Sequence, residues 1–311
     1  MEFDERFSTE AACLAYLAAV RWPNGFVCPR CAGVEVWRKA RGLMLCRACG
    51  LETSATAGTI FHKTRKPLRV WFQAMWSVTS QKYGANALGL QRTLGLGSYE
   101  TAWTWLHKLR RTMIRPGRDR LSGAIEIDET YVGGSEAGVY GRETANKALV
   151  VVAAEVRGRA TGRIRLRRVP DASTSSLRPF IVEVIEPGAE AITDGWRGYS
   201  GLPDLGYRHT IHNIKRSGRK AHEELPHVHR VASLLKRWLL GTHQGAVSHK
   251  HLDYYLDEFT FRFNRRASTH RGLLFFRLVE SAVALQPTTH RELVAGAARA
   301  TATTRARSNG S

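Results

Sequence analysis

The 311-residue chain carries 47 Lys and Arg against 27 Asp and Glu, and this formal net charge of +20 is spread along the sequence. The charge predicts a polyanionic partner, because neutralising phosphates releases counterions and gives affinity without sequence readout; membrane-surface binding and solubility are the alternatives. No apolar run approaches the roughly 20 residues of a membrane span, and the acidic start MEFDERF lacks the features of a signal peptide. We therefore expect a soluble, cytoplasmic protein of more than one module.

Two cysteine pairs in residues 1–60 predict a zinc ribbon that follows an N-terminal helix. Apolar residues at helical spacing from Cys13 to Val20 indicate the helix, with Cys13 as a small core side chain. The pairs CPRC and CRAC flank 14 residues of strand character, a spacing that brings four thiolates to one tetrahedral Zn²⁺. The predicted ligands are Cys28, Cys31, Cys46 and Cys49. Four unligated cysteines are the alternative. Since four thiolates leave no open coordination position, the predicted zinc is structural.

Residues 61–118 are predicted to form a helical module. Helices are indicated by KPLRVWFQAMWSV, YGANALGLQRTL and SYETAWTWLHKLRRTM, and the turn GLG separates the last two. Two helices joined by a short Gly-containing turn have the outline of a helix-turn-helix, and a plain helical hairpin fits the pattern equally well. In the first interpretation the basic end of the last helix faces DNA through Lys108, Arg110 and Arg111.

Residues 119–286 alternate strands and helices, which predicts an α/β domain. GAIEIDETYVGG and GRIRLRRVP alternate apolar and polar residues, whereas KALVVVAAEV is almost wholly apolar, as in a strand covered on both faces. A helix follows, then a strand that ends at Asp194, a short strand in which His209 and His212 are expected to be structural, and further helices. Residues 287–311 are expected to be a disordered basic tail.

Asp128 and Asp194 form the candidate acidic site of this domain. Asp128 lies in its first strand and Asp194 ends a later strand, so the two carboxylates can meet at one edge of the sheet. Such oxygen ligands bind hard divalent cations and support two-metal cleavage of phosphodiesters. Aspartates that cap helices or form turns would give the same pattern, and the two residues alone leave both interpretations open.

Several unusual motifs occur in one order along nearly the whole chain: the ribbon cysteines, GTIFHKTRKPL, TAWTWLHKLR, IDETYVGG, TDGWRGY, LLKRWLLGTHQG and YLDEFTFRFNRR. On these motifs the chain resembles bacterial insertion-sequence transposases of the ISXO-like group. The resemblance implies an α/β, RNase H-like mixed-sheet catalytic domain of the DDE type after the zinc ribbon. It also implies binding of terminal inverted repeats, cleavage that frees 3′ ends, and strand transfer, with two Mg²⁺ or Mn²⁺ as catalytic cofactors.

The resemblance further implies double-stranded DNA as the partner, both as element ends and as target. It implies a homo-oligomer when two ends are brought together, and a nucleoid-associated location without any membrane contact. Two other functions stay open at this point. One is a catalytically inactive DNA-binding protein derived from a transposase, and the other is a zinc-ribbon regulator.

The catalytic residues of the family can be carried over by position. Its first Asp, in DETYVGG, is Asp128, and its second, before the GY turn, is Asp194. Its third ligand stands on a helix, seven residues before a Lys. Counting back seven residues from Lys236 gives His229, and His229 also lies 35 residues after Asp194. A histidine departs from the carboxylate version of the site. The rivals for this position are Glu223 and Glu224, with Glu126 as a minor candidate, while Glu129 is expected on the opposite strand face.

Basic residues around this site predict a DNA-binding surface. Lys236 is expected to contact a phosphate beside the scissile bond, although a solvated surface lysine is the commoner role. Phe259 and Phe263 are expected in the core. The remaining predicted DNA contacts are Lys215, Arg216, Arg219, Lys220, Arg237, Arg265 and Arg266.

Overall fold

The computed structural model describes residues 2–81, 83–114, 117–133, 147–245 and 247–296. These residues form two compact units. The first contains the described residues up to 114 together with 269–296, and the second contains the described residues from 117 to 268. No helix among the described residues is both long and apolar enough to cross a membrane.

A small antiparallel sheet forms the N-terminal ribbon. Its strands, in spatial order, are β1 (Val36–Arg38), β2 (Leu43–Cys46) and β3 (Glu52–Ser54). Phe26 and Met44 are buried beside Cys28 and Cys46 and make up most of its core. So small a buried apolar area stabilises a sheet weakly, and a cross-link through the cysteines would add to the stability of the ribbon.

Helices make up the rest of the first unit. They are α1 (Glu2–Arg6), α2 (Glu10–Arg21), α3 (Leu68–Ser80), α4 (Ala87–Leu94), α5 (Tyr99–Thr112), α11 (Arg271–Ala284) and α12 (His290–Ala295). Ser98 caps α5 by accepting a hydrogen bond from the backbone N–H of Thr101. Cys13 is fully buried, as we expected.

Two C-terminal helices differ from the expected domain plan. α11 lies in the range 119–286, yet it packs on α2 and α3, because Phe275 packs at a tilt against Phe7 and edge-on against Phe72 in an aromatic cluster. α12 lies in the segment 287–311 expected to be disordered. Its first turn is closed by a capping box between Thr289 and Glu292, and residues beyond 296 lie outside the described part of the chain.

The second unit is built on a mixed five-stranded sheet. Its strands are β4 (Ala124–Val132), β5 (Ala148–Arg157), β6 (Ala160–Val169), β7 (Glu190–Thr193) and β8 (Arg208–Ile211), in the order β6-β5-β4-β7-β8. β4, β5 and β6 pair antiparallel, whereas β4 with β7 and β7 with β8 pair parallel. An antiparallel meander extended by parallel strands is the RNase H-like arrangement, so the expected fold class is confirmed.

Helices cover both faces of this sheet. α6 (Thr174–Val184) packs on one face, and α9 (Pro226–His243) and α10 (Leu252–Phe263) pack on the other, while α7 (Ile214–Ser217) and α8 (Ala221–Glu224) precede α9. The apolar run of β5 follows from this arrangement, since Val150 and Val152 face α9 and α10 whereas Val151 faces α6. Phe259 and Phe263 are buried as expected.

Candidate active site, zinc site and DNA-facing surface

The four ribbon cysteines form a closed cluster of sulfur donors. The Sγ atoms of Cys28 and Cys49 are 3.6 Å apart, as are those of Cys31 and Cys46, and the four ligand atoms all lie within 4.8 Å of one another. Zn–S bonds of about 2.3 Å in a tetrahedron put sulfurs about 3.8 Å apart, so the cluster fits a structural Zn²⁺. Burial raises the pKa of Cys28, but backbone N–H donors and neighbouring sulfurs lower it to about 6. The Gly33 N–H lowers the pKa of Cys31, but neighbouring sulfurs and burial raise it to about 12, since thiolates this close together repel one another without a cation between them.

The two candidate aspartates occupy corresponding positions on neighbouring strands. In the parallel pairing of β4 with β7, Glu126 lies beside Ile192. The same register continued by two residues puts Asp128 beside Asp194, which directly follows β7. Asp194 Oδ1 accepts a hydrogen bond from the backbone N–H of Trp196 at 2.9 Å. This local turn holds the carboxylate at the end of the strand.

His229 reaches Asp128 from α9. Its Nε2 lies 3.5 Å from Asp128 Oδ2, is buried, and makes no hydrogen bond to any described residue. The two atoms are close enough to be ligands of one cation. Among the described residues, however, only the four cysteines bring three or more donor atoms within reach of a single ion, so the described geometry at this site supplies a pair of ligands. Burial lowers the pKa of His229, the positive charges of His222 and Lys236 lower it further, and Asp194 opposes them. The ring is therefore neutral near pH 7, the form that binds metal or accepts a proton.

Lys236 follows His229 on the same helix. Seven residues correspond to about two turns, so both side chains lie on one face of α9. Much of the Lys236 side chain is exposed to solvent. Desolvation of its remaining part lowers its pKa, and the positive charge of Lys147 lowers it further. A phosphate approaching this face would relieve the repulsion between the two lysines.

The rival glutamates have other partners. Glu224 carboxylate oxygens lie 3.4 Å from His212 Nδ1 and 3.6 Å from Arg219 Nε. Glu223 Oε2 accepts a hydrogen bond from the backbone N–H of Lys220 at 3.1 Å and so caps α8. His229 contacts Asp128 at 3.5 Å, whereas the contacts of Glu223 and Glu224 are with α8 and with His212 and Arg219.

The glutamates on either side of Asp128 have different surroundings. Glu126 shares the strand face of Asp128 but is only 4 % exposed, and its carboxylate accepts backbone hydrogen bonds from α9. Burial raises its pKa, although those donors oppose the rise. Glu129 lies on the other face, near the hydroxyl of Tyr199. Burial raises the pKa of Tyr199 well above its ordinary value, and the charges of Glu129, Asp128 and Asp194 raise it further.

Sequence reasoning missed Tyr199, which is fully buried beneath the acidic site. An available signal was its position five residues after Asp194, in the TDGWRGY motif. A large aromatic residue so close to a strand end packs back onto the sheet more readily than it remains in solvent.

The predicted DNA-binding residues of the second unit fall into two groups. Arg216, Arg219, Lys220 and Arg237 are exposed, while the side chain of Lys215 lies outside the described residues. Arg265 and Arg266 are partly committed to the fold: Arg265 Nη1 donates to the Phe261 carbonyl at 3.2 Å, and Arg266 donates to the carbonyls of Phe263 and Thr161. Arg266 is exposed as well, and Arg219 contacts Glu224, so Arg216, Lys220 and Arg237 are the exposed residues for which the described contacts leave most room for a phosphate backbone.

α4 and α5 follow each other across a short turn, as the helix-turn-helix interpretation requires. The prediction that Arg110 faces DNA is wrong, because its side chain is 2 % exposed and lies against His107 inside the helical unit. Lys108 and Arg111 are half-buried. Burial lowers the pKa of Lys108, and the charge of Arg111 lowers it further.

Two segments of the chain, the N-terminal ribbon and the α/β domain, match known transposase domains. Residues 8–52 match the transposase zinc-ribbon domain and residues 120–264 match the ISXO2-like transposase domain. The chain is also similar to an uncharacterized protein in transposable element ISH50 of Halobacterium salinarum, with 28 % identity over 281 residues that cover 82 % of this chain and 91 % of that protein. No solved structure matches the chain. The ribbon, the mixed sheet and both domain matches occur in their expected order, so the chain carries a transposase zinc-ribbon domain followed by an ISXO2-like transposase domain.

Proposed function

We propose that this transposase binds the terminal inverted repeats of its element, cleaves the DNA to free 3′ hydroxyls, and joins these ends to target DNA. The observation that carries the proposal is the 3.5 Å approach of His229 Nε2 to Asp128 Oδ2. Asp194 in the adjacent register position supports it, because a site for phosphodiester chemistry needs several oxygen or nitrogen ligands at one point.

Asp128, Asp194 and His229 are the residues that would hold the catalytic cations. Bound divalent ions supply Lewis acidity toward the phosphodiester. Two carboxylates with one imidazole suit Mn²⁺ better than Mg²⁺, since Mg²⁺ prefers a set of oxygen ligands. The neutral imidazole of His229 offers a second role, in which it accepts the proton of the attacking hydroxyl group.

The charged surface around α9 supports a phosphate-binding role. Lys236 and Arg237 are exposed on the helix that carries His229, and a lysine at this place neutralises a phosphate as a compact point charge. Arg216, Arg219 and Lys220 extend the same sign of charge ahead of the helix. Pairing of two element ends further requires at least two copies of the chain, so we propose a homo-oligomer on DNA.

Cleavage of a supercoiled plasmid that carries the element's own ends tests the proposal. Asp128→Asn is expected to abolish nicking in both Mn²⁺ and Mg²⁺, and His229→Ala is expected to reduce it to a small residual rate in both metals. Glu224→Gln is the control, because this carboxylate binds Arg219 and His212, and it should nick as the wild type does. His229→Glu should retain nicking and shift the preference toward Mg²⁺.

Two results would contradict the proposal in different ways. If the wild type binds the ends but nicks in neither metal, the chain is a DNA-binding derivative without chemistry. If nicking survives in His229→Ala and vanishes in Glu224→Gln, the third active-site residue has been assigned to the wrong helix.

A further inference from the structure

The helix that carries His229 lacks an N-cap of its own. Its N-cap residue is Leu225, whose side chain cannot accept a hydrogen bond, and its first residue is Pro226. Helices normally satisfy the free N–H groups of their first turn with a Ser, Thr, Asp or Asn side chain at this position. In α9 these donors must find an acceptor elsewhere.

Glu126 provides that acceptor from the sheet. Its Oε2 accepts the backbone N–H of His227 at 2.7 Å and that of Val228 at 2.9 Å. The carboxylate belongs to β4, about a hundred positions earlier in the chain, and only 4 % of the residue is exposed. A negative charge at a helix N-terminus also interacts favourably with the helix dipole.

The same strand holds the acidic site. Glu126 and Asp128 are two residues apart in β4 and face the same side of the sheet, with their Cα atoms separated by about 7 Å along the strand. Glu126 holds the start of α9, and Asp128 meets His229 one residue beyond the capped N–H of Val228. One strand therefore contacts the first turn of the helix at two neighbouring points.

We propose that Glu126 is a positioning residue, whose carboxylate fixes the first turn of α9 on β4 and thereby holds the His229 imidazole against Asp128. This inference rests on the proposed catalytic role of His229. A direct role of Glu126 as metal ligand is disfavoured by its contacts, because Oε2 already accepts two hydrogen bonds and Oε1 faces His227 Nε2 at 3.9 Å inside the protein.

His227 makes the attachment specific to one orientation of the helix. Its Nδ1 lies 3.0 Å from Thr161 Oγ1 of β6, and both residues are buried. The first turn of α9 is thus held to β4 through its backbone and to β6 through a side chain. An apolar residue at position 126 would fill the space but would leave two helix N–H groups without an acceptor.

The test compares Glu126→Gln and Glu126→Ala with Glu155→Gln. Glu155 is a matched control, because it is a buried carboxylate of the same sheet that binds Arg163 rather than α9. We expect kcat for end cleavage to fall at least tenfold in Glu126→Ala and less in Glu126→Gln, with KM for DNA unchanged. Glu155→Gln should lower the unfolding temperature but leave kcat at the wild-type value.

A double-mutant cycle with His229→Ala separates positioning from general destabilisation. If Glu126 acts through His229, Glu126→Gln should cause no further loss of residual cleavage in the His229→Ala background. An equal loss in both backgrounds would overturn the inference. The ¹⁵N resonances of the His229 ring, measured without metal or DNA, give a readout independent of cleavage. They should shift in Glu126→Gln and stay unchanged in Glu155→Gln, and an unchanged His229 signal in Glu126→Gln would refute positioning even if the wild type proves inactive.

Discussion

Gly195→Ala tests whether the turn after Asp194 belongs to the active site. Gly195 has a φ of +81°, and a Cβ on it would lie 2.6 Å from Ile211 Cγ2. A left-handed backbone costs a non-glycine residue about 1–2 kcal/mol. The side chain of Ile211 is exposed and can yield in part, so the rest of the strain falls on the turn. Displacing a catalytic group by about 1 Å can lower a rate about 100-fold, and we expect a loss of that order in single-turnover cleavage.

Gly206→Ala is the matched control for this experiment. Gly206 has nearly the same φ, +82°, but a Cβ there meets nothing within 4 Å. Gly206→Ala should lose about 1–2 kcal/mol in the free energy of unfolding measured with urea. Gly195→Ala should lose more, because of its contact with Ile211, and only Gly195→Ala should lose cleavage. If Gly195→Ala cleaves as fast as Gly206→Ala, the position of Asp194 does not limit the reaction and our assignment of this residue fails.

Three further outcomes are expected. Glu155→Gln should lower the free energy of unfolding by about 2 kcal/mol at pH 7, because Arg163 loses a charged acceptor. Burial raises the pKa of Glu155, but its hydrogen bonds from Arg163 outweigh burial and keep it low, so the difference should shrink in urea titrations as pH falls below about 4.3. Chelation of zinc should expose residues 28–52 to limited proteolysis while residues 147–245 stay protected. Arg110→Ala should lower the unfolding temperature, whereas Arg237→Ala should weaken DNA binding at an unchanged unfolding temperature, as measured by fluorescence anisotropy.

Local patterns in the sequence predicted the parts of the structure that depend on local chemistry. The CxxC pairs are such a case, because two knuckles of fixed spacing have few ways to arrange four sulfurs. The strand that ends at Asp194 is another, since its apolar run stops where a turn begins. The position of His229 opposite Asp128 came from the family resemblance, because nothing in the periodicity of α9 indicates which strand it meets.

Local patterns could not predict which residues far apart in the sequence pack together. Arg110 stands near the end of a helix among other basic residues. Such a composition does not indicate whether its side chain faces solvent or the protein interior, where the structure has it. α11 is an amphipathic helix whose apolar face would suit either unit, and the aromatic contacts of Phe275 decide between them. The hydrogen bonds of Glu126 join positions that are far apart in the chain, so no window of sequence contains both partners.

The histidine at the third position has an electrostatic consequence for the order of binding. Asp128, Asp194 and a neutral His229 offer a charge of −2 in a protein of net charge +20, one negative charge fewer than a site with three carboxylates. Divalent ions held by so few anionic ligands keep waters and take further oxygens from substrate phosphates. We therefore expect Mn²⁺ to bind the DNA complex more tightly than the free protein. In calorimetric titrations, equal Mn²⁺ affinities with and without DNA would mean that the protein ligands suffice and that DNA adds no ligand to the site.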